Sequence, residues 1–130
     1  MYNIFLDDIR YPYQVKWVDL PPVEWTIVRS YKEFVDVVNK RGIPARVAFD
    51  HDLSLEHYPL SESDGGISNP TNIPYETYKE KTGYDCAKWL AEFCTSKKQN
   101  FPESYVHSFN PIGKQNILNL IKDIRKQEQV

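Results

Sequence analysis

Four short apolar runs punctuate the chain: Tyr2 to Leu6, Glu24 to Arg29 (through Trp25, Ile27 and Val28), Arg46 to Phe49, and Tyr105 to Phe109. Runs of this length, bounded by turn residues, predict buried strands. Between and after them the period changes to that of a helix. Tyr31, Phe34, Val35 and Val38 share one helical face, as do Ala87, Leu90, Ala91 and Cys94, and then Ile117, Leu120, Ile121 and Ile124. Ser30 with Glu33 predicts a capping box for the first helix, and Gly42 its end. Thr82 with Asp85 predicts the start of the second, and Pro111 suits the first position of the third. The final residues, 125 to 130, are expected to fray.

Residues 11 to 24 hold Pro12, Pro21 and Pro22, so an irregular crossover or at most a short helix is expected there. The order predicts an α/β fold, a small doubly wound, mostly parallel sheet of about four strands with three helices. We expect one domain over residues 1–130, with a long loop insertion at 54–82. That insertion carries Gly65-Gly66 and three prolines, and it leaves from the end of the third strand, so it could close over a site there.

Composition narrows the options. An apolar content of 41% with 14% aromatics argues against wholesale disorder. A formal net charge of -2 gives no global basic field for nucleic acid. Cys86 and Cys94 lie eight residues apart on one expected helix, roughly 12 Å, too far for a disulfide. Reduced cysteines suit the cytoplasm. No apolar run is long enough to cross a membrane, and the N-terminus does not read as a signal peptide.

The candidate chemistry lies where strands end. The first strand delivers Asp7, Asp8 and Arg10; the third, Asp50, His51 and Asp52; the fourth, His107, Ser108 and Asn110. In doubly wound sheets ligands bind outside the carboxyl ends of the strands. Crowded carboxylates repel unless a cation or a proton intervenes, and Mg²⁺ or Mn²⁺ held by Asp7, Asp8 and Asp50 would answer that. Gly113 and Lys114 lie in the first turn of the last helix, whose free N–H groups favour an anion. Arg10, Ser108, Asn110, Gly113 and Lys114 are thus candidate phosphate contacts. Asp50, His51, Asp52 and His107 are candidate catalytic residues, the histidines as acid and base. Structural alternatives stand beside these. Asn110 could cap the helix, Ser108 could bond backbone, Arg10 could pair with the acids, Lys114 could be ordinary surface, Asp7-Asp8 could cap a turn, and His51 could be a hydrogen-bonded structural residue rather than a catalyst. Trp17 and Trp25 could stack on a base, although Trp25 also reads as strand core.

The runs Phe5-Leu6-Asp7-Asp8-Ile9-Arg10-Tyr11-Pro12, Phe49-Asp50-His51-Asp52-Leu53, Thr82-Gly83-Tyr84-Asp85-Cys86-Ala87-Lys88-Trp89-Leu90 and His107-Ser108-Phe109-Asn110-Pro111-Ile112-Gly113-Lys114-Gln115-Asn116-Ile117 resemble, in order, the motifs of the cyclic-phosphate-processing receiver-like domains. The resemblance implies a receiver-like (flavodoxin-like) fold and the processing of cyclic phosphates, such as 2′,3′-cyclic phosphate RNA ends, in bacterial or phage RNA repair. It places Asp7 and Asp8 at the acidic pair of receivers, Asp50 at their phosphorylated aspartate and Ser108 at their phosphate-contacting hydroxyl. Relative to a receiver the chain is truncated by one strand-helix unit, so the fifth-strand lysine is missing. His51 and Asp52 are not receiver features.

Three functions are therefore open: a metal-dependent phosphoesterase acting on a cyclic phosphate, a non-catalytic nucleotide- or phosphate-binding module, and a divergent receiver phosphorylated at Asp50. The expected partner is a phosphate-containing small molecule or an RNA end, with no membrane and no stable protein partner implied.

Overall fold

A computed structural model describes residues 1–54, 57 and 73–128. Four strands, β1 (Asn3–Leu6), β2 (Thr26–Val28), β3 (Arg46–Phe49) and β4 (Glu103–Val106), form one all-parallel sheet in the order β2-β1-β3-β4. Three helices, α1 (Tyr31–Arg41), α2 (Gly83–Ser96) and α3 (Pro111–Glu128), follow β2, β3 and β4. The fold is the expected receiver-like α/β sheet, and its direction of winding reverses between β1 and β3.

β1 is buried along its whole length, as a central parallel strand requires. Its residues alternate between two cores. Ile4 and Leu6 join Val28, Val47, Phe49 and Val106 under the helices, against Phe34, Leu90 and Ile117. Phe5 and Ala48 face the other way, onto Val15, Val18, Leu20 and Trp25. All three helices thus cover one face. The crossover between β1 and β2, regular only in a 3₁₀ turn at Pro12–Gln14, covers the other. Its prolines leave no α-helix there, only that short turn, in keeping with the expected irregular crossover or at most a short helix.

Several boundaries differ from the expectation. The fourth strand begins and ends earlier than residues 105–109, because Phe109 has already left the sheet and is 63% exposed. The N-terminal capping box of α1 is displaced by one residue. The Ser30 hydroxyl accepts from the Glu33 N–H, but the Glu33 carboxylate accepts from Arg29 N–H rather than from residue 30. The α2 box is complete, with Thr82 N–H donating to the Asp85 carboxylate and Asp85 N–H to the Thr82 hydroxyl. Gly42 ends α1 at a φ of +89° that favours glycine.

The fraying expected from residue 125 is not found through Glu128. Arg125 donates to the Phe101 and Pro102 carbonyls at 2.7 Å each, and Glu128 accepts from Phe101 N–H at 2.6 Å. The last turn of α3 therefore clamps the segment entering β4. Both cysteines are free and buried in α2, and burial pushes both thiols up, Cys94 to about 11. Among the described residues no helix is long and apolar enough to cross a membrane.

Most of the 54–82 insertion, and with it the expectation of a closing loop, lies outside the described residues. His57 ties its described ends together. Its Nδ1 accepts from Leu53 N–H at 2.8 Å and its Nε2–H donates to the Glu80 carbonyl at 2.6 Å, which fixes one neutral tautomer.

Candidate functional site

The parallel ladder runs one residue past the end of each strand. Asp7 N–H donates to Val28 carbonyl, Asp50 N–H to Leu6 carbonyl and His107 N–H to Phe49 carbonyl, each at 3.0 Å. Because Leu6, Phe49 and Val106 stand in register, the next residues form a row across the carboxyl edge. Strand alternation turns that row away from the helices. His107 accordingly stacks on Phe5, with ring centroids 4.7 Å apart.

Ligand atoms of Asp7, Asp50 and His107 lie within 4.8 Å of one another, and all three residues are buried. Asp7 carries most of the local order. One carboxylate oxygen accepts from Ile9 and Arg10 N–H at 3.0 and 2.8 Å. The other meets His107 Nε2 at 3.0 Å and the Arg10 guanidinium at 3.6 Å. Burial would raise its pKa, but His107 and the two N–H groups outweigh that and hold it at about 2. Asp50 goes the other way. Burial first, then the neighbouring Asp7, Asp52 and Asp8 charges, push it to about 8, against one favourable bond from His51 N–H. Two carboxylates forced apart in this way share a place for one cation or one proton.

The donor set fits a divalent ion. It offers crowded carboxyl oxygens, an acid held protonated first by burial and then by its neighbours' charge, and a buried imidazole whose Nδ1 has no hydrogen-bond partner among the described residues. Asp8 is half-buried at the rim and acts on Asp50 through its charge.

The remaining sequence-predicted residues assemble elsewhere. His51, next after Asp50, points to the helix side and is fully buried. Its Nδ1 lies 2.7 Å from the Asp52 carboxylate and its Nε2 3.0 Å from the Tyr75 hydroxyl. Asn116 donates to that hydroxyl at 2.9 Å, and burial raises the tyrosine's pKa, so Tyr75 keeps its proton and can give it to Nε2. Asp52 also accepts from the Asn110 amide at 3.1 Å, and Asn110 Oδ1 accepts from Gly113 N–H at 2.9 Å. Asn110 therefore caps the helix. Gly113 does permit a close approach, but of the His51 ring: a Cβ there would overlap its Cγ. Ser108 Oγ accepts from Asn110 N–H at 3.0 Å, which leaves its own proton free to donate. Lys114 is half-buried.

The polar edge thus separates into an acidic row with His107 and Arg10, and a histidine network through Asp52, Asn110, Tyr75 and Asn116. The sequence reading missed Tyr75 and Asn116, and also Arg29, whose guanidinium bridges the Asp7 and Arg10 carbonyls at 3.1 and 2.6 Å. It missed the role of Gly83, where a Cβ would overlap the Asp50 carbonyl oxygen. A glycine in the first turn of a helix was the available signal.

The family model of the cyclic-phosphate processing receiver domain matches residues 2–123. No curated protein and no solved structure matches the chain significantly. The family match runs from β1 well into α3 and takes in both acid-tipped strands and the His107 edge. On that coverage, the chain belongs to the cyclic-phosphate processing receiver family.

Proposed function

We propose that the protein is a divalent-metal-dependent phosphoesterase that opens a cyclic phosphate on a small molecule or an RNA end. The observation that carries this reading is the row of Asp7, Asp50 and His107 at the point where the sheet's winding reverses. Asp7 and Asp50, with Asp8 at the rim, would hold Mg²⁺ or Mn²⁺. When bound, the ion supplies charge neutralisation at the phosphoryl oxygens and a more acidic water.

Ring opening forms one bond from water oxygen to phosphorus and breaks one ester bond. One proton passes to the released sugar oxygen. His107 would carry the proton at this edge, since its Nε2 is fixed on Asp7 and its Nδ1 meets no hydrogen-bond partner among the described residues. His51, with both nitrogens engaged on the far side, takes a positioning role through Asp52 and Asn110. Arg10 at the rim, with Ser108 and Lys114 near the α3 N-terminus, would meet phosphate oxygens.

The test is an oligonucleotide ending in a 2′,3′-cyclic phosphate, incubated with and without Mg²⁺ or Mn²⁺, with Asp50→Asn alongside. Metal-dependent ring opening that the variant loses supports the reading; full activity in Asp50→Asn overturns it. One observation favours a binding module instead: His51 and His107 are both fully buried. Binding of the same oligonucleotide without turnover would establish that alternative.

A further inference from the structure

Seven large apolar residues are exposed among the described ones, and five of them, Ile9, Tyr11, Tyr13, Trp17 and Phe109, sit on the two loops that leave β1 and β4. Phe109, at 63% exposure, stacks on Trp17 with ring centroids 4.1 Å apart and planes 27° from parallel. The Arg10 guanidinium lies over both rings, 4.9 Å from Phe109 and 5.5 Å from Trp17. Exposed aromatic surface is costly in water, and concentrated in one place it marks a contact surface.

One hydrogen bond and one ion pair join this surface to the acidic row. Trp17 Nε1–H donates to the His107 carbonyl at 2.8 Å, and Arg10 reaches Asp7 at 3.6 Å. Trp17 also lines a cleft of about 680 Å³ formed within the crossover, with Tyr13, Lys16 and Trp25. That size suits a small organic ligand.

From this placement we propose that Arg10, Trp17 and Phe109 form a stacking platform for the nucleobase attached to the cyclic phosphate, so that the substrate is a nucleoside cyclic phosphate or the 3′-terminal nucleotide of an RNA rather than a bare sugar cyclic phosphate. This rests on the phosphoesterase reading for the phosphate half of the ligand. A planar base has a π-face that matches the rings, and the guanidinium adds the cation–π and phosphate complementarity typical of single-stranded nucleic-acid grooves. The platform offers rings rather than a set of base-edge donors and acceptors, so it discriminates little between bases.

The experiment is calorimetric titration of the full chain, in Mn²⁺, with adenosine 2′,3′-cyclic phosphate, with the base-free methyl riboside 2,3-cyclic phosphate and with adenosine. The base is expected to tighten binding roughly ten- to a hundredfold. Phe109→Ala is expected to bring the ratio of the two cyclic-phosphate affinities close to one, and Phe109→Tyr to keep it. Far-ultraviolet circular dichroism is the check that both variants fold, and at 63% exposure Phe109 contributes little to the core.

Equal binding of the base-free compound, or a preference that survives Phe109→Ala, overturns the platform while leaving the phosphate reading intact. Adenosine binding as tightly as its cyclic phosphate, with the Phe109→Ala loss, supports the platform and overturns the phosphate reading. Absence of binding by all three overturns both.

Discussion

Replacing Asp50 with asparagine should make the protein more stable, by an amount that depends on pH in a defined way. In the unfolded chain the carboxyl titrates near 3.8; in the fold it titrates at about 8. The native state therefore keeps a proton that the unfolded state releases, so the stability present below pH 3.8 is lost as pH rises toward 8 and stays lost above it. At pH 7, about three units above the unfolded value, that loss is about 4 kcal/mol, and relaxation or entering water makes this an upper bound. The amide is nearly isosteric, can still accept the His51 N–H, and carries no charge to desolvate.

The assay is urea unfolding of both proteins in chelator at pH 4, 5, 7 and 9. The variant's advantage should be small at pH 4, grow through pH 7 and level off above pH 8. A melting-temperature gain on the order of 10 °C at pH 7 would match it. A pH-independent difference, or a variant less stable than the wild type at pH 9, would refute the reasoning that charge repulsion and burial govern Asp50.

Asp7 should behave in the opposite sense. Held at about 2, it contributes stability that is present above pH 3.8 and lost as pH falls through 2, so Asp7→Asn should cost about 2 kcal/mol at pH 7 in the same unfolding assay. Gly113→Ala should push the His51 ring off its site and cost about 1–3 kcal/mol, readable as a shift of the His51 ring resonances in NMR as well as in the unfolding midpoint. Gly83→Ala meets a backbone carbonyl that cannot turn aside, and should cost more than Gly113→Ala, up to loss of soluble folded protein on expression. Arg125→Ala leaves the Phe101 and Pro102 carbonyls without their side-chain donor; a loss of about 1–2 kcal/mol, with faster hydrogen exchange in β4, is expected.

The periodicity of apolar residues carried most of the fold into the sequence: β3 lies over the residues expected, and all three helices begin where their caps stand. The acid-tipped strands likewise announced Asp7 and Asp50. What the sequence hid was direction. Asp50, His51 and Asp52 are consecutive and read as one cluster, yet alternation across a strand sends Asp50 to the crossover side and His51 to the helices. Tyr75 was hidden for another reason, since it comes from an insertion without periodicity and meets His51 only through the tertiary fold. The C-terminal clamp was equally illegible, because an Arg and a Glu in a polar tail look solvated until the β4 approach packs beneath them.

The row of Asp7, Asp50 and His107 is set by strand register, and register changes only in whole residues. A one-residue slip of β3 would not displace Asp50 by a fraction of an ångström. It would put Phe49 or His51 in its place, on the wrong side of the sheet. The site therefore works like a reading frame, either correct or lost, with little room for graded drift. Substitutions can tune such a site, whereas a single-residue insertion or deletion inside β1, β3 or β4 abolishes it at once.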